Sequence, residues 1–210
     1  MTDSPTVVLL HGAFADSSGW AATIAGLESQ GLTCLAAPNQ LRELEADAAN
    51  LRSILATIDG PVVLVGHSYG GAVIGEAARG ADNVAALVFL AAYVLEEGES
   101  IALVLDPDLF PGSLLGPDTT LVRPFADPSA PDGTNGDMYI RNEDFHAVFI
   151  GDADPQLAHL MAVQQRPLAL SAYTGVAGKP AWHSIPSWAL VTELDRAIPA
   201  AGQEWMARRE

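Results

Sequence analysis

The chain has 210 residues, of which 49% are apolar and 17% are charged, and a chain of this length and composition can form one domain with a sizeable core. Its 26 acidic and 10 basic residues give a net charge of −16, and a field of that sign repels nucleic-acid phosphates and anionic membranes. The composition therefore excludes nucleic acid and membrane from the expected partners and favours an uncharged or cationic small molecule.

The N-terminal segment and the single cysteine indicate the compartment. The stretch MTDSPTVVLLHG has neither a basic segment followed by a long apolar run nor a small-residue cleavage site, and the longest apolar runs are only strand-length. Cys34 alone allows no internal disulfide and no cysteine-rich metal site, and its surroundings, GLTCLAAP, predict a buried, inert thiol. We therefore expect a cytoplasmic protein.

Two patterns alternate over the first 95 residues. Short β-branched or leucine-rich runs predict strands at residues 6–10, 32–36, 62–65 and 84–90. Stretches of helical character lie between them, at 19–30, 43–58 and 70–79. In the second of these, apolar residues recur every three or four positions, and the polar face is assigned Glu43, Glu45, Asp47 and Arg52. The alternation predicts an α/β fold with a mostly parallel sheet and helices on both faces.

The pattern changes between residues 96 and 180, where proline, glycine and aspartate become frequent and one helical stretch stands out near 154–165. We interpret this segment as a cap inserted after the 84–90 strand, with loops that shape a pocket. A partly disordered linker is the alternative interpretation.

Strand and helix patterns return in the last 30 residues. A strand is predicted at 188–192, and Pro199 suits the first turn of a helix that runs to the end of the sequence. The predicted division is therefore a core formed by residues 1–95 and 181–210, with the cap, 96–180, between its two parts.

The pentapeptide Gly66-His67-Ser68-Tyr69-Gly70 follows a predicted strand directly and precedes a predicted helix. A sharp strand-to-helix turn would lift the Ser68 hydroxyl above the edge of the sheet, and the two glycines leave space for the backbone. The helix that follows directs its partial positive charge at the same place. This context predicts that Ser68 is a nucleophile.

A second motif, His11-Gly12-Ala13-Phe14, ends the first predicted strand. A glycine in this position lets the loop turn a backbone N–H towards the serine. The N–H groups of Ala13 and Tyr69 would then form an oxyanion hole, in which each donor stabilises the transition state by about 3 kcal/mol.

The turn VTELDRAIP, which begins at Val191, follows the last predicted strand. An acid in such a turn can orient and stabilise a catalytic imidazolium. Asp195 is the preferred candidate, and Glu193 in the same turn is the alternative.

Four segments together resemble the α/β-hydrolase superfamily, and in particular small serine esterases of the plant methylesterase and hydroxynitrile-lyase type and their bacterial relatives. They are VVLLHGAFADSSGW, VVLVGHSYGGAVI, ALVFLAAYVLEEGES and IPSWALVTELDRAIP. The resemblance implies that Ser68 is the nucleophile, Asp195 the acid, and Ala13 and Tyr69 the oxyanion donors. One departure is Thr192, where many relatives carry glycine.

The resemblance also implies a catalytic histidine that follows the acid after one more strand. Only 15 residues follow Asp195, and none of them is histidine. His146 and His159, in the predicted cap, are the histidines that could reach the serine from elsewhere. The expectation is a C-terminally shortened α/β-hydrolase fold, whose exposed sheet edge invites association into a homo-oligomer.

These residues predict a serine hydrolase, similar to carboxylesterases, that cleaves a small ester, thioester or lactone through an acyl-enzyme on Ser68. Phe14, Tyr93 and Trp182 are expected to line an apolar substrate pocket, and no metal or organic cofactor is implied. One alternative is a non-catalytic ligand-binding protein on the same scaffold. The other is a lyase similar to hydroxynitrile lyases, whose site lysine has no counterpart near the acid, since the only lysine is Lys179.

Overall fold

The computed structural model describes residues 4–104 and 106–209. The strands are β1 (Thr6–Leu10), β2 (Thr33–Ala37), β3 (Val62–Ser68), β4 (Val84–Ala92), β5 (Thr120–Ala126), β6 (Thr134–Ile140), β7 (Leu168–Ala169) and β8 (Ser187–Leu190). The helices are α1 (Ala21–Ser29), α2 (Leu44–Leu55), α3 (Tyr69–Ala77), α4 (Ile101–Val104), α5 (Phe145–Phe149), α6 (Pro155–Gln164), α7 (Leu170–Thr174) and α8 (Ala200–Ala207). Short 3-10 helices occupy Ser17–Trp20 and Ala181–His183. Within this part of the chain, no helix has the length and apolar character needed to cross a membrane.

The main sheet consists of five parallel strands in the order β2-β1-β3-β4-β8. Central strands of a parallel sheet are buried on both faces, which is why they appear in the sequence as continuous apolar runs. The four strands predicted in the first 95 residues are confirmed. Their ends differ by up to three residues, because β3 continues as far as Ser68.

The two faces of the main sheet bury alternate residues of the same strands. Val8 and Leu10 of β1 lie in the core cluster that contains the apolar faces of α2 and α3. Val7 and Leu9 lie in a separate cluster with Trp20. This period of two is the geometry of a strand, and it places helices on both faces as predicted.

Helix α2 begins after Glu43, whose carboxylate accepts hydrogen bonds from the next helical N–H groups. The apolar face predicted for this helix is confirmed, since Leu44 and Leu51 are buried. The assignment of Asp47 to the polar face is wrong, because its side chain is only 3% exposed. Position 47 lies three residues after Leu44 and four before Leu51, so it shares their face of the helix.

A second sheet, of three antiparallel strands in the order β5-β6-β7, lies within the segment predicted as a cap. The sequence pattern did not predict it, because β5 carries Arg123 and Pro124 at its centre and is mostly exposed. The helix predicted near 154–165 is confirmed as α6, and the Asp154 side chain accepts hydrogen bonds from its first N–H groups.

Backbone hydrogen bonds join the second sheet and its flanking loop to the loops of the main sheet. The N–H of Phe14 donates to the carbonyl of Arg166 at 3.0 Å. The N–H of Ala169, in β7, donates to the carbonyl of Leu41 at 2.9 Å. Phe14 and Leu41 both have a positive φ, of 63° and 61°, so each contact is made beside a strained turn.

Both edge strands of the main sheet are partly open. Cys34 lies on the edge strand β2 and is partly exposed, so the prediction of a buried thiol is wrong. At the other edge, all four residues of β8 are exposed, and Trp188 and Leu190 expose 59% and 54% of their area. Within the described residues, β8 pairs only with β4, so its outer backbone groups have no strand partner.

Candidate active site

Ser68 stands at the junction of β3 and α3. It is the last residue of the strand, Tyr69 is the first of the helix, and Ser68 has a φ of 53° and a ψ of −125°. A positive φ is costly for a residue with a side chain and is typical of a nucleophile elbow. The helix N-terminus places its unpaired N–H groups and partial positive charge next to the serine.

Glycines at three positions allow the backbone to close around this turn. A Cβ on Gly66 would lie 2.6 Å from the Gly70 carbonyl oxygen, and one on Gly70 would lie 2.5 Å from the Leu10 oxygen. A Cβ on Gly12 would lie 2.7 Å from the Ser68 Cβ and 3.1 Å from its Oγ. The loop after β1 therefore lies against the serine, as the sequence pattern requires.

His11 fixes the orientation of that loop. Its Nε2 accepts a hydrogen bond from the Asn39 N–H at 3.1 Å, so in the neutral ring Nδ1 carries the proton and donates to the Gly12 carbonyl at 2.9 Å. Burial lowers the pKa of His11, which favours this neutral form. His11 is therefore a structural support of the loop.

The Gly12–Ala13 peptide carries the predicted oxyanion donor. Its carbonyl is held by His11, and a trans peptide directs its N–H to the opposite side. Within the described residues, no hydrogen bond engages the Ala13 N–H. The N–H of Tyr69 has no intrahelical acceptor because it lies in the first turn of α3. Both N–H groups therefore remain candidates for the predicted oxyanion hole.

Asp195 lies in the turn between β8 and α8, where four donors surround its carboxylate. Oδ1 accepts hydrogen bonds from the N–H groups of Ala197 at 2.8 Å and Ile198 at 2.9 Å. Oδ2 accepts from the hydroxyl of Thr192 and the amide of Gln203, both at 3.0 Å. Thr192, the departure from the resemblance, is therefore a direct partner of the acid.

The alternative acid and the Gln203 side chain differ in their surroundings. Glu193 is exposed and makes no hydrogen bond with the described residues. Gln203 is 3% exposed and bonds to both Asp195 and Thr192. Gln203 was not predicted, because a glutamine in a C-terminal helix carries no motif, and only its burial and hydrogen bonds reveal its role. The structure therefore favours Asp195 as the ordered acid of this turn.

A cavity of about 810 Å³ adjoins the acid turn and is lined in part by Asp195, His67 and His146. His67 packs edge-on against Trp20, with ring centroids 6.4 Å apart. Burial lowers the pKa of His67, and the negative charge of Asp195 partly opposes that shift. His146 donates from Nε2 to the carbonyl of Ala153 at 3.0 Å.

Of the three residues predicted to line a substrate pocket, Phe14 and Tyr93 lie in the same core cluster, and Trp182 lies beside a different cavity. The Phe14 ring meets Phe149, which lines the cavity beside Asp195, edge-on at 6.2 Å. Tyr93 is buried, and burial raises its pKa. Trp182 lies elsewhere: its indole N–H donates to the Leu95 carbonyl at 3.0 Å, and it lines a separate cavity of about 520 Å³ beside β8.

Comparison with known proteins gives a family and a set of relatives. The family described as "Alpha/beta hydrolase family" matches residues 7–210. A carbendazim-hydrolysing esterase from Nocardioides sp. (strain SG-4G) is 36% identical over 117 residues. That match covers 50% of this chain and 48% of the relative, so the alignment spans about half the length of the curated protein.

Several solved structures share the fold at low identity. A polyneuridine aldehyde esterase superposes with a TM-score of 0.79 at 18% identity, covering 97% of this chain and 86% of that one. A pyrethroid hydrolase from Sphingobium faniae JZ-2 superposes with a TM-score of 0.72 at 22% identity, covering 97% of this chain and 83% of that one. A methylesterase from Arabidopsis superposes with a TM-score of 0.74 at 17% identity, covering 96% of this chain and 84% of that one.

Proposed function

Because the chain belongs to the alpha/beta hydrolase family, we propose that it is a serine hydrolase of the carboxylesterase type, with Ser68 as its nucleophile. One observation carries the proposal: Ser68 has a φ of 53° at the start of a helix, and the Gly12 backbone lies against its side chain. Such an elbow stores strain to present a hydroxyl, and a serine with a purely structural role has no need of it.

In the proposed reaction, Ser68 Oγ attacks the carbonyl carbon of an ester, thioester or lactone. The carbonyl oxygen becomes an oxyanion that accepts hydrogen bonds from the N–H groups of Ala13 and Tyr69, each worth about 3 kcal/mol in the transition state. The alcohol or thiol takes up a proton and leaves, or in a lactone stays attached as the far end of the acyl group; the acyl group remains on Ser68, and water then releases the acid.

The rate of each step depends on a base that takes the proton from Ser68 and later from water. His11 and His183 are hydrogen-bonded to Gly12 and Glu96, and His146 is bonded to Ala153. His67 packs on Trp20 beside the acid cavity. General-base assistance typically contributes 10²- to 10⁴-fold. We therefore propose that Ser68 is acylated slowly even by an activated ester, and that water hydrolyses the unactivated serine ester more slowly still, so that the acyl-enzyme accumulates.

The proposed substrate is a small to medium, uncharged ester with an apolar or aromatic group. The Phe149 ring lies between those of Phe14 and Phe145, with centroids 6.2 Å and 4.9 Å away, and Phe14 adjoins Ala13 in the loop after β1. The net charge of −16 disfavours an anionic substrate. The relatives named for carbendazim, polyneuridine aldehyde and pyrethroids carry esterase or hydrolase names, which agrees with this class.

The test is release of p-nitrophenol from p-nitrophenyl acetate and butyrate by the purified chain and by Ser68→Ala. We expect a burst close to one equivalent, followed by slow turnover, and no burst from Ser68→Ala. Equal release by both proteins would contradict the proposal.

A non-catalytic ligand-binding protein on the same scaffold is the second candidate. Two observations favour it. The rings of His11, His146 and His183 are hydrogen-bonded to groups other than Ser68, and both carboxylate oxygens of Asp195 accept hydrogen bonds from neighbouring groups. This candidate predicts saturable binding of p-nitrophenyl butyrate without any release of p-nitrophenol.

Two further proposals concern the cellular compartment and the oligomeric state. The one cysteine, partly exposed on β2, suits a reducing compartment such as the cytoplasm. The exposed outer edge of β8, with Trp188 and Leu190, supports association of two copies through this strand. Neither proposal requires nucleic acid, membrane or a cofactor.

A further inference from the structure

Tyr69 combines a backbone N–H that is a proposed oxyanion donor with a side chain that is buried in the core. The ring is 1% exposed, and its hydroxyl donates a hydrogen bond of 2.7 Å to Oδ2 of Asp47 in α2. Asp47 is itself 3% exposed. The first residue of α3 is therefore anchored by a polar contact inside the core.

The carboxylate of Asp47 has one further partner. The backbone N–H of Arg42 donates to its two oxygens at 3.2 Å and 3.1 Å. Burial raises the pKa of Asp47, and burial together with the Asp47 charge raises the pKa of Tyr69 well above 10. The tyrosine hydroxyl therefore stays protonated and remains the donor of the pair.

Arg42 extends the contact to the second sheet. Its guanidinium donates to Oδ1 of Asp137 in β6 at 2.7 Å and to the carbonyl of Pro167 at 3.2 Å. Its own carbonyl accepts a hydrogen bond from the Ser171 hydroxyl at 2.6 Å. A continuous series of contacts therefore runs from the second sheet through Arg42 and Asp47 to Tyr69.

The backbone at Tyr69 has little freedom to absorb a displacement of its ring. Ser68 precedes it at a strained φ, and Gly70 follows it against the Leu10 carbonyl. A shift of the ring would therefore move the Tyr69 N–H relative to Ser68. Displacement of a catalytic group by about 1 Å can cost roughly 10²-fold in rate.

From these contacts we propose that Asp47 is a positioning residue for the oxyanion hole, which holds the Tyr69 N–H in place through the tyrosine hydroxyl. The inference rests on the proposed function of Ser68. Arg42 orients the Asp47 carboxylate and connects it to the second sheet. The opposing explanation is that Asp47 only fastens α2 to α3, in which case its loss would lower stability without slowing the reaction of Ser68.

The test compares Asp47→Asn and Tyr69→Phe with Glu76→Gln, using the rate of covalent labelling of Ser68 by an alkyl fluorophosphonate. Glu76 is a matched control: a carboxylate on α3 that is 3% exposed and bonded to the Gly178 N–H at 2.8 Å, seven residues beyond Tyr69. Concentration series separate the maximal labelling rate from the half-saturating concentration, and urea unfolding measures stability.

We expect both test variants to label about ten- to a hundredfold more slowly at saturation, with an unchanged half-saturating concentration. Glu76→Gln should lose stability and keep the wild-type labelling rate. Tyr69→Phe keeps the ring, and it carries the test if Asp47→Asn does not fold. Wild-type labelling rates in folded test variants would overturn the inference alone. A folded wild-type chain that takes no label would overturn the proposed function and the inference with it.

Discussion

The imidazole of His11 donates from Nδ1 to the carbonyl of Gly12 at 2.9 Å, and this contact orients the peptide whose N–H belongs to Ala13. Replacement by alanine leaves the Gly12 carbonyl and the Asn39 N–H unpaired in a buried site. Each unpaired group lowers the free energy of unfolding by about 1–3 kcal/mol. We predict that His11→Ala lowers the unfolding free energy and slows the labelling of Ser68. His183→Ala is the control, since its pair with Glu96 is partly exposed and its loss should change stability by less than about 1 kcal/mol. Normal labelling of His11→Ala would contradict this role.

The same histidine makes stability depend on pH. Burial lowers the pKa of His11 in the folded chain below its ordinary value of 6.5, which the unfolded chain keeps. Between these two pKa values the unfolded chain binds more protons than the folded chain. Stability from this group is complete above pH 6.5 and is lost as pH falls towards the folded pKa. We predict that urea unfolding shows a shallower acid-side decline in His11→Gln than in the wild type. If the free energy of unfolding falls equally steeply with decreasing pH in the two proteins, the lowered pKa of His11 is contradicted.

Gly70 and Gly75 lie in the same helix and predict opposite effects of one methyl group. A Cβ on Gly70 would lie 2.5 Å from the Leu10 carbonyl oxygen, whereas one on Gly75 meets nothing within 4 Å. Gly75→Ala should stabilise the chain by about 0.5–1 kcal/mol, because alanine favours a helix over glycine. Gly70→Ala should destabilise it by at least about 1–3 kcal/mol through overpacking and should impair the Ser68 site. Urea midpoints of the two variants check the pair, and equal midpoints would contradict the close approach.

The outer edge of β8 predicts association. We expect sedimentation velocity to show a species heavier than the 22.0 kDa chain that grows with concentration, and Trp188→Lys to reduce it. Leu157→Lys is the control, because Leu157 is 50% exposed on α6, away from β8. A single monomeric species at every concentration would rule out this assembly.

The sequence predicted the main sheet well, because parallel strands buried on both faces appear as continuous apolar runs. The elbow and the loop after β1 were also foreseeable, since only glycine fits where Gly12, Gly66 and Gly70 approach neighbouring backbone or side-chain atoms. The second sheet was not predicted, because β5 is mostly exposed and carries Arg123 and Pro124 at its centre, and β6 begins with the polar and glycine residues of TNGD.

Contacts between distant segments were beyond sequence reasoning. The spacing of α2 places Asp47 on the buried face, but its Tyr69 partner is known only once α3 packs on α2, and Gln203 acquires its role only when α8 packs beside the acid turn. Trp182 shows the converse, because an aromatic residue near the predicted pocket lies instead against Leu95 and a different cavity. Tertiary packing decided each of these positions.

Covalent labelling is the decisive measurement of whether Ser68 is a nucleophile. The intact chain and Ser68→Ala are incubated with an alkyl fluorophosphonate, and intact-mass and peptide spectra locate the adduct. We predict one equivalent of phosphonyl adduct on the peptide that contains Ser68, and none on Ser68→Ala. An unlabelled wild-type chain, or an adduct that persists in Ser68→Ala, would contradict it.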